Sequence, residues 1–247
     1  MTKNALLPLA IAAMFALAGC ASGGAEAGDP SASADAKPGA TAGATPAKGA
    51  QLDARTLADI AQEIAGDNDD AQITDEDSMR AQLPMAEQGL KSMKIEPAKC
   101  AAIASGDLKA EFDKMNTISL KLPGATMVQS VQVGIASYAD PADAAANIAQ
   151  SRKMLKDCSN FTMTLQGQKV ETKVSEVKAK TKAAVTEANR SVVSVSGADI
   201  PTVAVSAVDG RNLISVSVMG GSKEADDIDQ AQDIVNSVLA MIEEKTS

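Results

Sequence analysis

Histidine and tryptophan are absent from the 247 residues, and only three Phe and one Tyr represent the aromatics. Without His there is no Ser–His or Cys–His nucleophile pair, no imidazole metal ligand, and no side chain whose ordinary pKa lies near neutrality. Platforms that stack sugar rings are scarce as well: beyond residue 20 only Phe112, Tyr138 and Phe161 remain. The two Phe read as core residues and Tyr138 as the end of a strand. Positive charge is in deficit, with 23 Lys and Arg against 32 Asp and Glu, a net −9. Such a surface repels phosphate and excludes a nucleic-acid partner. There is no Gly-x-Ser-x-Gly elbow, P-loop or His-Glu-x-x-His helix, so the chain reads as no enzyme, and no cofactor or metal is expected. A wall-modifying hydrolase built on paired carboxylates is the weakest of three readings.

What is present begins with an address. Lys3 gives a short positive start, and Ala5 to Ala18 form an apolar run broken only by Pro8. The run is too short to span a bilayer and fits the hydrophobic segment of a signal peptide. It ends in Leu17-Ala18-Gly19-Cys20, which resembles the lipobox of bacterial lipoproteins at all four positions. That resemblance implies cleavage before Cys20 and acylation of its thiol, palmitate included. More than one acyl chain is expected, because a single chain holds a membrane only marginally. Lys3 is the only charged side chain before Cys20, so the remainder carries 22 basic and 32 acidic residues, a net −10. Anionic headgroups repel that surface, and the anchor at Cys20 is the expected membrane contact, on the extracytoplasmic side.

Residues 1–19 are thus read as a signal peptide and 20–50 as the lipidated N-terminus with a disordered tether. Residues 21–50 contain no Leu, Ile, Val, Met or aromatic and cannot bury enough apolar surface to offset the entropy of ordering. A flexible chain of that length spans roughly 30 Å.

From 51 to 247 the patterning is regular. Leu57, Ile60 and Ile64 predict a helix stopped by Gly66. The acidic stretch from Asp67 to Asp77 lacks the register of a calcium loop and reads as a solvated loop favouring the next helix start. Residues 76–83 and 85–93 read as two short helices split at Pro84, and Pro97 opens a short helix carrying Cys100. Val131, Val133 and Ile135, with Met127 and Gln129, mark one face of a strand. Asp140-Pro141 caps a helix to Asp157 with an inward stripe of Ala145, Ile148, Ala149 and Leu155. Phe161, Met163 and Leu165 alternate before a turn at Gln166-Gly167 and a strand over 169–177. Another strand holds Val193 and Val195. Val203 and Val205, then Asp209-Gly210, then Ile214, Val216 and Val218 predict a hairpin. A last helix over 223–245 shows Ile228, Ala231, Val235, Val238 and Ile242 on one stripe. The fold class is α+β: a single domain with a curved, mainly antiparallel sheet, helices on one side, and the C-terminal helix packed on it.

Two cysteines remain in an exported chain, Cys100 and Cys158, and a disulfide between them is the simplest reading. Lys178, Lys180 and Lys182 alternate on one face; a solvated strand edge that blocks sheet-to-sheet pairing is favoured over a patch for an anionic polymer. Most of the Met residues fall after residue 78, and core filling is favoured over an adaptable cleft for a lipid-like ligand.

The segment Ile95-Glu96-Pro97-Ala98-Lys99-Cys100, the strand before Tyr138 and the helix ending Lys156-Asp157-Cys158 together resemble the extracellular sensor domain of the actinobacterial PknH-like family, over residues 52 to 245. The resemblance implies an antiparallel sheet flanked by helices and a cleft for an unidentified ligand. It supplies no binding residues beyond the two cysteines. Members often have a second disulfide, for which this chain has no cysteines. The leading expectation is a surface-anchored, non-catalytic, sensor-like module for an envelope ligand or protein. The alternative is a carrier or shield for a lipid or other apolar envelope component.

Overall fold

In the computed structural model the described residues are 49–105, 107–124, 129–165 and 167–247; the expected signal peptide, Cys20 and nearly all of the tether lie outside them, as do Met127 and Gln166. Nine strands form one sheet: β1 (Gln72–Thr74), β2 (Lys94–Glu96), β3 (Met115–Pro123), β4 (Ser130–Tyr138), β5 (Asn160–Leu165), β6 (Gln168–Glu176), β7 (Val185–Val195), β8 (Ala198–Asp209) and β9 (Asn212–Met219). Their spatial order is β1-β3-β4-β9-β8-β7-β6-β5-β2, and every neighbouring pair is antiparallel. The helices are α1 (Ala54–Ala65), α2 (Glu76–Ser92), α3 (Leu108–Phe112), α4 (Pro141–Asp157) and α5 (Glu224–Lys245), with a 3₁₀ turn over Ala98–Ala104. Among the described residues no helix is long and apolar enough to cross a membrane.

Local chemistry sets most boundaries. The Asp53 carboxylate accepts from the Thr56 N–H at 2.7 Å and starts α1, and Gly66 ends it at a φ of 55°, a left-handed conformation that glycine adopts without a Cβ clash. Asp140 caps α4, with Pro141 in its first turn. Between β8 and β9 only Gly210 has positive φ, as a type II′ turn requires. Between β7 and β8 both Ser196 and Gly197 do, as in type I′.

Pro84 does not split its helix. α2 runs unbroken through it, because Met79, Leu83, Ala86 and Leu90 lie at helical spacing on both sides of the proline and all pack into one cluster. Tertiary burial overrides the missing N–H. The inward stripe of α4 also differs from expectation. Ala144 and Ile148 are buried while Ala145 and Ala149 are exposed, so the helix is turned by one residue. Beyond the expected elements the fold adds β1, β2, β3 and α3. β1 and β2 have three residues each, too few to show a period, and they exist as cover for the outer edges of β3 and β5.

Helices cover both faces of the sheet, not one side. Val131, Val133 and Ile135 of β4 join Val203, Val205, Ile214, Val216 and Val218 in a cluster under α1 and α5. The alternate residues Ala136 and Tyr138 point the other way and pack with Val208 beneath α2, α3 and α4. A third cluster holds Ile95, Phe161, Met163 and Val170 around the two cysteines. The first residue fully embedded in the fold is Leu52. Its N–H donates to Ser137 Oγ at 2.9 Å and its carbonyl accepts from Asn116 Nδ2 at 2.7 Å. Asn116 and Ser137 face each other in the β3–β4 register.

Candidate functional site

On the face that carries α4, the middle of the sheet belongs to none of the three clusters, and its side chains are mostly small or polar, with Met219 the one large apolar group. Three rows cross it in register. The first reads Ser119, Gly134, Ser215, Ser206 and Glu187, from β3 to β7. The second reads Lys121, Gln132, Ser217, Ala204, Asn189 and, on β6, Glu176. The third reads Ser130, Met219, Thr202 and Ser191. From β4 to β8 all of these residues are half-buried and none is charged. Few of the hydroxyls are engaged within the protein. Ser206 and Ser215 share one bond at 3.1 Å, and Gln132 donates weakly to Ser119 at 3.4 Å. Among the described residues the side chains of Ser217, Thr202, Asn189 and Ser191 have no hydrogen-bond partner within the protein.

The opposite face of the same sheet shows what ordinary solvation looks like. Beyond the reach of α5 it presents Lys94, Glu96, Lys169, Glu171 and Lys173, all exposed, with Lys94 and Glu96 paired at 2.8 Å. A face that merely meets water carries such charges; the hydroxyl floor carries them only at its margins.

α4 borders the floor. Ser151 donates to Glu187 Oε1 at 3.0 Å, Arg152 Nε lies 3.4 Å from Glu187 Oε2, and the Arg152 guanidinium also donates to the Thr186 carbonyl at 3.1 Å. The Glu187 side chain is 5% exposed. Burial pushes its carboxyl above the ordinary range, more than Ser151 and Arg152 pull it down, and Glu176 adds to the rise. The folded state therefore favours the protonated form. The stability Glu187 contributes is fully present at low pH and is lost as pH rises through its raised pKa. Glu187→Gln, which mimics the neutral acid, is expected to raise the thermal midpoint at pH 8 and to leave it nearly unchanged at pH 4. A lower midpoint at pH 8 would show that the Arg152 pairing outweighs burial.

Of the residues singled out from sequence, Cys100 and Cys158 meet in a disulfide with a Cα separation of 5.5 Å, both buried. Cys20 lies outside the described residues. Lys178, Lys180 and Lys182 are exposed but do not guard a sheet edge, because β6 and β7, which their segment joins, are inner strands. The segment instead lies on α5: the Lys180 and Lys182 N–H groups donate to Gln232 Oε1 and Asn236 Oδ1 at 2.5 and 2.8 Å. In the acidic stretch, Asp75 caps α2 and Glu76 pairs with Arg80 at 2.8 Å. Phe112, Tyr138 and Phe161 are core residues. The floor itself was missed. Its signal was available: in the middle of β4, β8 and β9, the residues that alternate with Val and Ile are Ser130, Gln132 and Gly134, Thr202, Ala204 and Ser206, and Ser215 and Ser217, none of them charged.

The matches to known proteins agree with this architecture. The family model described as "PknH-like extracellular domain" matches residues 53–241. The chain belongs to that family. As a PknH-like extracellular domain, it sits outside the cytoplasm. A crystal structure of the extracellular domain of PknH from Mycobacterium tuberculosis is similar at a TM-score of 0.51 and 12% identity, over 78% of this chain and 98% of that one. At that identity the likeness concerns the fold. An uncharacterized protein from Mycobacterium smegmatis is similar at a TM-score of 0.41 and 14% identity, over 75% of this chain and 96% of that one. No curated protein matches the chain by sequence.

Proposed function

We propose that this PknH-like extracellular domain is a non-catalytic, sensor-like binding module, held at the membrane by lipid on Cys20, and that it takes its ligand on the hydroxyl floor beside α4. The observation that carries the reading is the contrast between the two uncovered sheet faces. One is striped with exposed Lys and Glu, while the other keeps half-buried, unpaired hydroxyl and amide groups free of charge. Polar groups that the protein leaves unpaired and open to solvent can exchange water for a ligand that hydrogen-bonds them. They also favour a polar ligand over an apolar cargo, since covering hydroxyls with alkyl groups costs about 1–3 kcal/mol each. The carboxyl at the floor's border, Glu187, accepts from Ser151 through Oε1 and pairs with Arg152 through Oε2, so it faces α4 and not the floor's open side.

A photo-reactive residue in place of Ser217 tests the site. Irradiation in native envelope is expected to add a discrete mass to the protein. The same photo-reactive residue in place of Glu171, on the opposite face, is expected to acquire none. Equal labelling from both faces would remove the floor as the site. The anchor has its own test. Cys20→Ala is expected to move the protein from the detergent phase to the aqueous phase in phase partitioning, and a variant that stays with detergent would place the anchor elsewhere.

A further inference from the structure

We infer that the ligand of the floor is an uncharged glycan, lying across the strands from β4 to β7. The inference rests on the floor being the binding site and concerns what it binds. The first argument is charge. Between Lys121 on β3 and Glu176 on β6, the second row offers Gln132, Ser217, Ala204 and Asn189, so an anionic or cationic ligand would lose hydration with no counter-charge beneath it. Glu187 does not serve as one, because its carboxylate is held under α4 by Ser151 and Arg152.

The second argument is the kind of hydrogen bonding available. β4, β9, β8 and β7 each have a strand on both sides, so their backbone groups are used within the sheet and cannot pair with an added peptide strand. What remains is side-chain hydroxyl and amide, able to donate and accept at will. Ligand hydroxyls match that capacity in either orientation.

The third argument is spacing. Side chains on one face recur about every 5 Å across strands, the scale of one sugar ring. From Gln132 to Asn189 there are three such steps, roughly 14 Å, so a run of about three sugar units would cover the row. With no aromatic on the floor to stack a ring, affinity is expected in the millimolar range.

The test uses the full chain from residue 20 on, with Cys20→Ser, labelled for amide chemical-shift mapping. The probes are cellohexaose and maltohexaose, an oligogalacturonate as the anionic glycan, and a Ser-Gly hexapeptide as the uncharged peptide. At least one neutral hexasaccharide is expected to shift the amides of Ser217, Thr202 and Asn189, and Asn189→Ala is expected to weaken it at least tenfold. Ser217→Val provides a second variant should Asn189→Ala fail to fold. No shift with either neutral sugar, shifts confined to other surfaces, or a stronger response to the peptide or the oligogalacturonate would overturn the inference. If the sugars are inert while the photo-reactive residue at 217 still acquires its adduct, the ligand class falls and the binding floor stands.

Discussion

Replacing Cys100 and Cys158 together by serine is expected to lower unfolding stability by about 4 kcal/mol, from the loop-closure entropy of a 58-residue separation. The bridge joins the 3₁₀ turn after β2 to the residue that ends α4, where the Cys158 N–H still bonds the Met154 carbonyl at 2.8 Å. Around it the third cluster is small, with Ile95, Phe161, Met163 and Val170 as its buried members, so few apolar contacts compensate when the tie is cut. Because α4 also borders the hydroxyl floor through Ser151 and Arg152, its loosened end should weaken ligand binding as well as stability. Denaturant melts of oxidised protein, reduced protein and the double variant measure the first effect. Agreement between the oxidised protein and the double variant to within about 1 kcal/mol would show that the cluster holds without the bridge.

Phe112→Ala is expected to cost about 3–5 kcal/mol, the range for deleting a buried aromatic ring. Phe112 is 2% exposed and sits among Leu83, Leu108, Met115 and Tyr138, where α2, α3 and the sheet converge. Arg80 lies over its ring at 5.8 Å, donates to the Phe112 carbonyl at 2.6 Å, and bonds Glu76 and Asp113 at 2.8 and 2.7 Å. Removing the ring leaves a cavity that this anchored guanidinium cannot follow into without breaking its pairs. Arg80→Ala alone, at a half-exposed position, should cost about 1 kcal/mol. An equal cost for both variants would place the stabilisation in the ion pairs instead of the ring.

The sheet's long strands were legible because alternation over five or more residues has a physical cause in half-burial. Val203 to Val218 announced a hairpin, and the turn at Gly210 formed where Asp209-Gly210 predicted it. β3 was missed although Ile118, Leu120 and Leu122 alternate, and β1 and β2 are strands only by virtue of the neighbours whose edges they cover. Pro84 misled because a local rule about a missing N–H was applied where burial of Leu83 and Leu90 decides the outcome. Helices on both faces could have been foreseen from Ala136 and Tyr138, apolar positions on the side of β4 away from Val131 and Val133. The floor was harder. A lone serine in a strand carries no message, and only the register that aligns Ser206 with Ser215 and Ala204 with Ser217 turns scattered residues into a surface.

Leu52 has a mechanical consequence. Its N–H and carbonyl are tied to Ser137 and Asn116, a facing pair on adjacent strands, and the Gln51 side chain adds a third bond, to the Ser137 carbonyl at 2.8 Å. A pull on the chain from its N-terminal side therefore meets this clip before it reaches α1. Tension is delivered into the β3–β4 pair, which is nine residues long, so the helix does not unwind first. Weakening the clip with Ser137→Ala would change where the domain yields under traction while leaving both faces of the sheet as they are.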